Sequence, residues 1–425
     1  MPEPAREDAD VVIVGAGAAG LATAIFAARG APGARIVLLD GARAPGAKIL
    51  VSGGGRCNVT NRVVGERDFW GGSRPVIRRV LRAFPAAAAV ELFRELGVPL
   101  HEEEHGKLFP DSHQARSVLD ALLREVARLG VQLRCGERVG ALSAAAAGFV
   151  VRSTGRELRA PRVVLATGGL SLPKSGSDGF GLELARRLGH DVVPATPALA
   201  PLVLDGDFHR PLSGVACPVE LAVRASGEKP LRIAGALLFT HFGVSGPAAL
   251  DASRHVLRKR LEGRQVELWA NLLPGRDEAW ADRALVELAT NNPHLRLAGA
   301  LARELPAALA ERVLTVLELG PQTPLGRLPR EARKRLARAL CAWPLAVRDS
   351  RGYSFAEVTA GGVALTEVDP ASLESRKQPG LHLVGEILDV DGRLGGFNFQ
   401  WSWSSGFVAG SAIARALGSP AAEPR

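Results

Sequence analysis

Glycine stands at the first, third and sixth places of a six-residue stretch, Gly15, Ala16, Gly17, Ala18, Ala19 and Gly20, directly after the apolar run DVVIV. Between a strand and a helix, this GxGxxG spacing suits a dinucleotide pyrophosphate. Gly15 permits the tight turn, Gly17 lets the backbone come close to the phosphates, and Gly20 lets the helix pack on the strand. The helix start adds unpaired N–H groups and a positive dipole end. Asp40 lies 20 residues beyond Gly20, at the end of the next apolar run, where its carboxylate can accept hydrogen bonds from a ribose diol. GxGxxG alone says little; strand, fingerprint, helix, strand and acid in register are specific.

Two further stretches carry chemistry. In AKILVSGGGRCNVTN (47–61), Gly53, Gly54 and Gly55 are too costly in backbone entropy for regular helix or strand. They suit a loop lying against a flat or charged ligand, with a surface turn as the plain alternative. Lys48, Arg56 and the amides around Ser52, Cys57 and Asn58 can bind a diphosphate or the polar edge of a ring. In LVGEILDVDGRLGGFNFQWSWSSGFVAG (383–410), a strand ends at Gly385 and Glu386, where a carboxylate can hold a ribityl hydroxyl. The following loop carries Gly395, Gly396, Asn398 and Phe399, and a helix is predicted from near Gln400. Its positive end suits the N1–C2=O edge of a reduced flavin, where negative charge develops. Trp401 and Trp403 read as core residues. LATGG (165–169) is a third strand ending in small residues, equally at home beside a cofactor or in a plain core.

These residues need strands to aim them. Residues 10–14 and 35–39 read as buried parallel strands joined by a helix over 17–29, the length of a right-handed crossover. Helical patterns follow over 74–97 and 113–129, and strands over 131–135, 147–152, 157–159 and 162–169. PATPALAPL (194–202) reads as a crossing between domains. Strands over 215–224 and 231–240 precede helices over 277–291, 306–317 and 328–341. Strand character returns at 354–366 and 381–386, and a last helix is predicted over 401–416. The simplest account is α/β: a Rossmann-like domain from residues 1–194 and 346–425, interrupted by an inserted α+β domain over 195–345.

Hydrophobic residues at 47% and charged residues at 23% exclude a disordered or collagen-like chain. Cys57, Cys135, Cys217 and Cys341 form no CxxC pair, so neither a zinc site nor a redox dithiol is read from them, and they fit a reducing cytosol. Val11–Ala28 runs eighteen residues without a charge, but the acidic segment before it and the placement of its glycines argue against a membrane span. The net charge of +9 comes with only seven lysines against 46 arginines. Genome composition explains that skew, and so does a surface for anions or nucleic acid.

The stretches AKILVSGGGRCNVTN, LLFTHFGVSGP (237–247), EVTAGGV (357–363) and GEILDVDGRLGGFNFQWSWSSGFVAG closely resemble the bacterial BaiN/YhiN-like FAD flavoproteins, in the same order and over nearly the whole chain. That family includes proteins assigned as dehydro-bile-acid reductases and as aminoacetone oxidases. The resemblance implies a FAD-binding domain of the two-dinucleotide-binding type with a family-specific insertion. It also implies FAD contacts from Gly15–Gly20, Asp40, Lys48, Ser52–Asn58, Glu386 and Asn398, and a backbone contact near Val139. Asp40 stands where glutamate is commoner, and Ala47 and Val51 where lysine and isoleucine are expected, changes that leave FAD binding in place.

The expected activity is therefore an FAD-dependent oxidoreductase passing a hydride between flavin N5 and an organic molecule. No second GxGxxG follows residue 60, so NAD(P)H is expected as a transient donor at the flavin face, with oxygen as the alternative partner. His241 and Cys57 are the candidate catalytic residues, each with a structural alternative: a turn position for His241, core packing for Cys57. His105 and Lys107 read as a polar entrance or a solvated hairpin. A small-molecule substrate, a cytoplasmic location and no metal, membrane or nucleic-acid partner complete the expectation. The alternatives are a flavoprotein acting on tRNA, suggested by the arginines, and a flavin sensor without turnover.

Overall fold

The computed structural model describes residues 5–418, which divide into two units. Of these, the first unit comprises residues 5–195 and 357–418, the second Thr196–Ala356. The first unit is built on β1 (Val11–Val14), α1 (Ala18–Gly30), β2 (Ile36–Asp40), β3 (Gln132–Cys135), β4 (Arg162–Leu165) and β5 (Leu381–Leu383). These strands form one sheet in the order β5–β4–β1–β2–β3, every pair parallel. β1 and the first four residues of β2 are buried, as apolar strands covered on both faces must be. A second sheet pairs Ala5–Asp8, Arg156–Ala160, Gly148–Ser153 and Val139–Ala145.

The last helix, α2 (Phe397–Gly418), packs along α1. The approach is close because the facing residues are small: a Cβ on Gly406 would lie 2.7 Å from Ala22 Cβ, and one on Gly410 2.7 Å from Thr23 O. α2 starts at Phe397 rather than near Gln400, so Asn398 and Phe399 belong to its first turn rather than to the loop. The helical pattern over 74–97 is two helices, Arg74–Ala83 and Ala86–Glu95. Pro85 splits them by forcing Phe84 out of the helical region. The proline-rich stretch, where the chain passes from the first unit to the second at Ala195–Thr196, begins within a strand over Val192–Ala198.

The second unit holds a seven-stranded antiparallel sheet: Trp343–Leu345, Val266–Asn271, Ala216–Ala225, Leu231–Thr240, Gly243–Ser245, Leu202–Leu204 and Val347–Ser350, in that order. Helices Gly246–Leu261, Glu278–Asn291, Ala307–Val316 and Arg330–Cys341 accompany it, around a separate core that includes Leu221, Phe239, Leu309 and Leu336. Among the described residues no helix is long and apolar enough to cross a membrane, and the uncharged Val11–Ala28 stretch is β1, its turn and most of α1.

Candidate active site

The carboxyl ends of β1, β2, β4 and β5 converge on one edge of the parallel sheet, the edge where open α/β sheets bind ligands. The turn after β1 is fixed by contact. Gly15 has φ +105°, and a Cβ there would lie 2.4 Å from Ala166 O; one on Gly20 would lie 1.9 Å from Gly15 O. Gly17, at the N-cap of α1, has open space where its side chain would stand, and no side chain caps the helix. Asp40 ties the turn together, accepting from Ala16 N and Ala42 N, each at 2.8 Å. Its carboxylate therefore shapes the turn with one lone pair of each oxygen and keeps the others for a ligand. Val139 begins the strand next to Arg138, which pairs with Asp178 and covers the Phe180 ring.

A second cluster lies beyond β4 and β5. Lys48 Nζ donates to Ser171 Oγ and Glu386 Oε2, both at 2.7 Å, and Ser171 Oγ donates to Glu386 Oε1 at 2.7 Å. Thr359 N donates to Glu386 Oε1 at 3.0 Å, while Thr359 Oγ1 accepts from Leu170 N and Ser171 N. Lys48 and Glu386, read from two separate motifs as independent ligand contacts, are thus an ion pair in a shared network. Gly169 makes room for it, since a Cβ there would meet Thr359 Oγ1 at 2.4 Å. Ser171 and Thr359 were missed individually; the signal was their placement just after LATGG and inside EVTAGGV.

The glycine loop takes left-handed backbone at Gly53 (φ 54°) and Gly54 (φ 67°), both exposed, and Gly54 faces open space. Ser52 Oγ closes it onto Ile49 O. Arg56, expected on a diphosphate, is committed to Glu103 and lies 4.2 Å from the centre of the Phe109 ring. That guanidinium holds the Glu103 carboxyl below its usual range. Asn58, with its amide turned to satisfy both ends, donates to Leu108 O and Thr60 O and accepts from Gly396 N. Cys57 is fully buried, and burial pushes its thiol up to about 12. A thiol so protected stays protonated at neutral pH, which fits core packing and does not fit a thiolate nucleophile.

The start of α2 differs from expectation in its side chains. Asn398 spends its amide on Gly392, accepting from the N–H at 2.8 Å and donating to the carbonyl at 2.9 Å. It therefore pins the loop with one N–H and one lone pair and keeps its second N–H for a ligand. Phe399 stacks on Trp403, with ring centres 5.7 Å apart. Trp401 and Trp403 are core residues whose indole N–H groups donate to Gly385 O and Val59 O. Gln400 accepts from Thr60 Oγ1 at 2.6 Å and donates to Phe84 O, joining the glycine loop's outgoing strand to α2. His241 belongs to the second unit, exposed in the turn between Leu231–Thr240 and Gly243–Ser245.

The strand-end edge fits a dinucleotide. Gly17 and Gly54 present bare backbone to open space, one of them at a helix N-terminus suited to phosphate. Thr167 Oγ1 and Ser177 Oγ, after β4, are buried and lack a hydrogen-bond partner among the described residues, so donors remain for a bound group. A five-stranded parallel sheet with this turn, acid and bare loop defines a Rossmann-type dinucleotide-binding domain.

Comparison with known proteins places it further. The chain belongs to the family described as HI0933-like protein Rossmann domain, whose model matches residues 9–412. It is 35% identical over 402 residues to a 3-dehydro-bile acid Δ(4,6)-reductase of Clostridium scindens, covering 95% of this chain and 98% of that one. It is 34% identical over 406 residues to a ribosomal RNA dihydrouridine synthase of Escherichia coli, covering 94% and 96%. In fold it is similar to the open conformation of a flavocytochrome c3 fumarate reductase, with a TM-score of 0.51 at 17% identity over 98% of this chain and 80% of that one. E. coli quinol fumarate reductase FrdA gives 0.52 at 16% identity, covering 98% and 72%.

Proposed function

We propose that the protein reduces a carbon–carbon double bond conjugated with a carbonyl in a small organic molecule. The observation that carries this reading is the full-length similarity to a reductase named for a 3-oxo-steroid with Δ4 and Δ6 double bonds. When bound, FAD supplies the hydride equivalent to such a carbon. The chain's own part is to hold the cofactor. The Gly15–Gly20 turn and the α1 N-terminus take the pyrophosphate, and Asp40 takes the ribose. The Lys48–Ser171–Glu386 network borders the ribityl and ring, with the Ser52–Asn58 loop against them and Val139 beside the adenine. The first N–H groups of α2 offer positive potential to the N1–C2=O edge. Cys57 is sealed in the core, which leaves His241 as the candidate proton donor in this reading. NAD(P)H is the proposed reductant.

The test is anaerobic. Holoprotein reduced with NADPH or by light is mixed with a 3-oxo-Δ4,6 steroid, and flavin reoxidation is followed with product mass. Reoxidation with gain of two hydrogens supports the reading; reduced flavin that the steroid leaves untouched for hours defeats it. A second reading, uridine in ribosomal RNA, is favoured by the E. coli relative and by a second dihydrouridine synthase, from Haemophilus influenzae, 30% identical over 410 residues. Uracil also presents a double bond conjugated with a carbonyl. Reoxidation by ribosomal RNA but not by the steroid selects it.

A further inference from the structure

The hairpin beside the glycine loop gathers metal-binding side chains that the cofactor site does not use. Strands Leu100–Glu103 and Lys107–Pro110 pair antiparallel, and the chain then turns through Asp111 to His113. One ligand atom each from His101, Glu103 and His113 lies within 4.8 Å of the others. The His101 and His113 rings are 4.6 Å apart, although like imidazoles gain little from that approach in water. His113 reaches its place with φ +52°, a left-handed conformation uncommon for a side chain of this size.

His101 is oriented as a metal ligand. Its Nδ1 meets Asp111 Oδ1 at 3.1 Å, which leaves Nε2 facing Glu103 Oε1 at 3.4 Å, the oxygen that also accepts from Arg56, so a cation there shares the carboxylate with that guanidinium or turns Glu103 Oε2 inward. A carboxylate on one ring nitrogen fixes the tautomer that presents the other to a cation. Tetrahedral zinc with bonds near 2.0–2.1 Å needs ligand atoms roughly 3.3 Å apart, which His101 Nε2 and Glu103 Oε1 at 3.4 Å already meet, while a pair at the 4.8 Å limit must close by about 1.5 Å. His113 is exposed, and His101 and Glu103 are only partly buried, so the side chains can make that adjustment. Two imidazoles with one carboxylate, and water in the fourth position, suit Zn²⁺ better than Ca²⁺ or Mg²⁺, which favour all-oxygen shells.

We propose that His101, His113 and Glu103 bind a divalent transition metal, Zn²⁺ by preference, with Asp111 positioning His101. Partial exposure sets the expected strength at a Kd of about 1–100 µM. Tag-free holoprotein, stripped with chelator, is titrated with Zn²⁺ by calorimetry, with flavin absorbance and a thermal melt confirming that each variant is folded. One Zn²⁺ per chain is expected, weakened about a hundredfold in His101→Gln and in His113→Asn, and about tenfold in Asp111→Asn. Asparagine tolerates the left-handed backbone at residue 113, so that variant tests the ligand and not the turn. His105→Asn, on the same hairpin but outside the cluster, should bind as the parent does. No saturable binding below millimolar Zn²⁺, or equal binding in the parent and both histidine variants, overturns the proposal.

Discussion

Gly17 and Gly20 belong to one motif but meet different surroundings, and substituting each by alanine separates ligand contact from packing. Gly17 has φ −83° and ψ −171°, a conformation open to any residue, and a Cβ there would touch nothing within 4 Å. In the apoprotein Gly17→Ala should leave stability unchanged or raise it by about 0.4–1 kcal/mol, because alanine has less unfolded-state freedom to lose. That methyl would stand where the pyrophosphate approaches the α1 N-terminus. Losing one charge-assisted hydrogen bond costs about 1.5–3 kcal/mol, which weakens FAD by roughly 10- to 150-fold. Gly20→Ala is the reverse: its Cβ would fall 1.9 Å from Gly15 O, and the backbone must move. Overpacking of that kind costs about 1–3 kcal/mol, and the apoprotein should melt several degrees lower. Apoprotein is prepared by flavin release, FAD affinity is read from quenching of flavin fluorescence on rebinding, and stability from thermal melts. Undiminished FAD affinity in Gly17→Ala would show that the pyrophosphate does not cross Gly17.

Glu386→Gln removes the partner of Lys48, whose side chain is only 25% exposed, and should cost about 1–3 kcal/mol and hasten FAD loss, checked by melting and flavin release. Cys57→Ala should retain turnover, and iodoacetamide at neutral pH should label exposed Cys135 well before buried Cys57; rapid Cys57 labelling with loss of activity would reinstate its catalytic role. Burial holds the His255 imidazole down to about 3, so between that value and its unfolded pKa near 6.5 the unfolded chain binds the extra proton. Stability of the second unit should therefore fall as pH drops below about 6.5, by up to roughly 1.4 kcal/mol per unit. His255→Gln should flatten that slope in urea titrations. Glu125 is held at about 2, first by Arg128 and then by Arg29, so it stabilises the fold above its unfolded pKa and loses that contribution as pH falls through the folded value. Glu125→Gln should lower stability at pH 7 by about 2 kcal/mol, allowing for screening at exposed Arg128, with the difference vanishing in strong acid.

Much of this site was legible because its signals are local. The turn of Gly15–Gly20 follows from glycine chemistry between a strand and a helix, and Asp40 from the length of one crossover. Cys57 and Arg56 were harder, since types within a loop do not reveal which side chains turn inward. Cys57 is sealed in the core, and Arg56 is taken by Glu103, 47 residues away. Asn398 has a second role for a related reason. An amide at a loop end can serve a ligand or the backbone, and the helix beginning at Phe397 put it within reach of Gly392.

What the sequence by itself determined is the dinucleotide-binding β–α–β unit, its phosphate turn, its ribose acid and the glycine loop, because periodicity, turn chemistry and capping act over a few residues. What only the tertiary structure decided is the allocation of partners. Lys48 meets Glu386 across 338 positions of chain, Thr60 meets Gln400 across 340, and Ser171 meets Thr359 across 188. Those pairings arise where strand ends from distant parts of the chain converge. A buried donor there takes whichever acceptor the fold brings within about 3 Å, because leaving it unpaired costs more than any local preference provides.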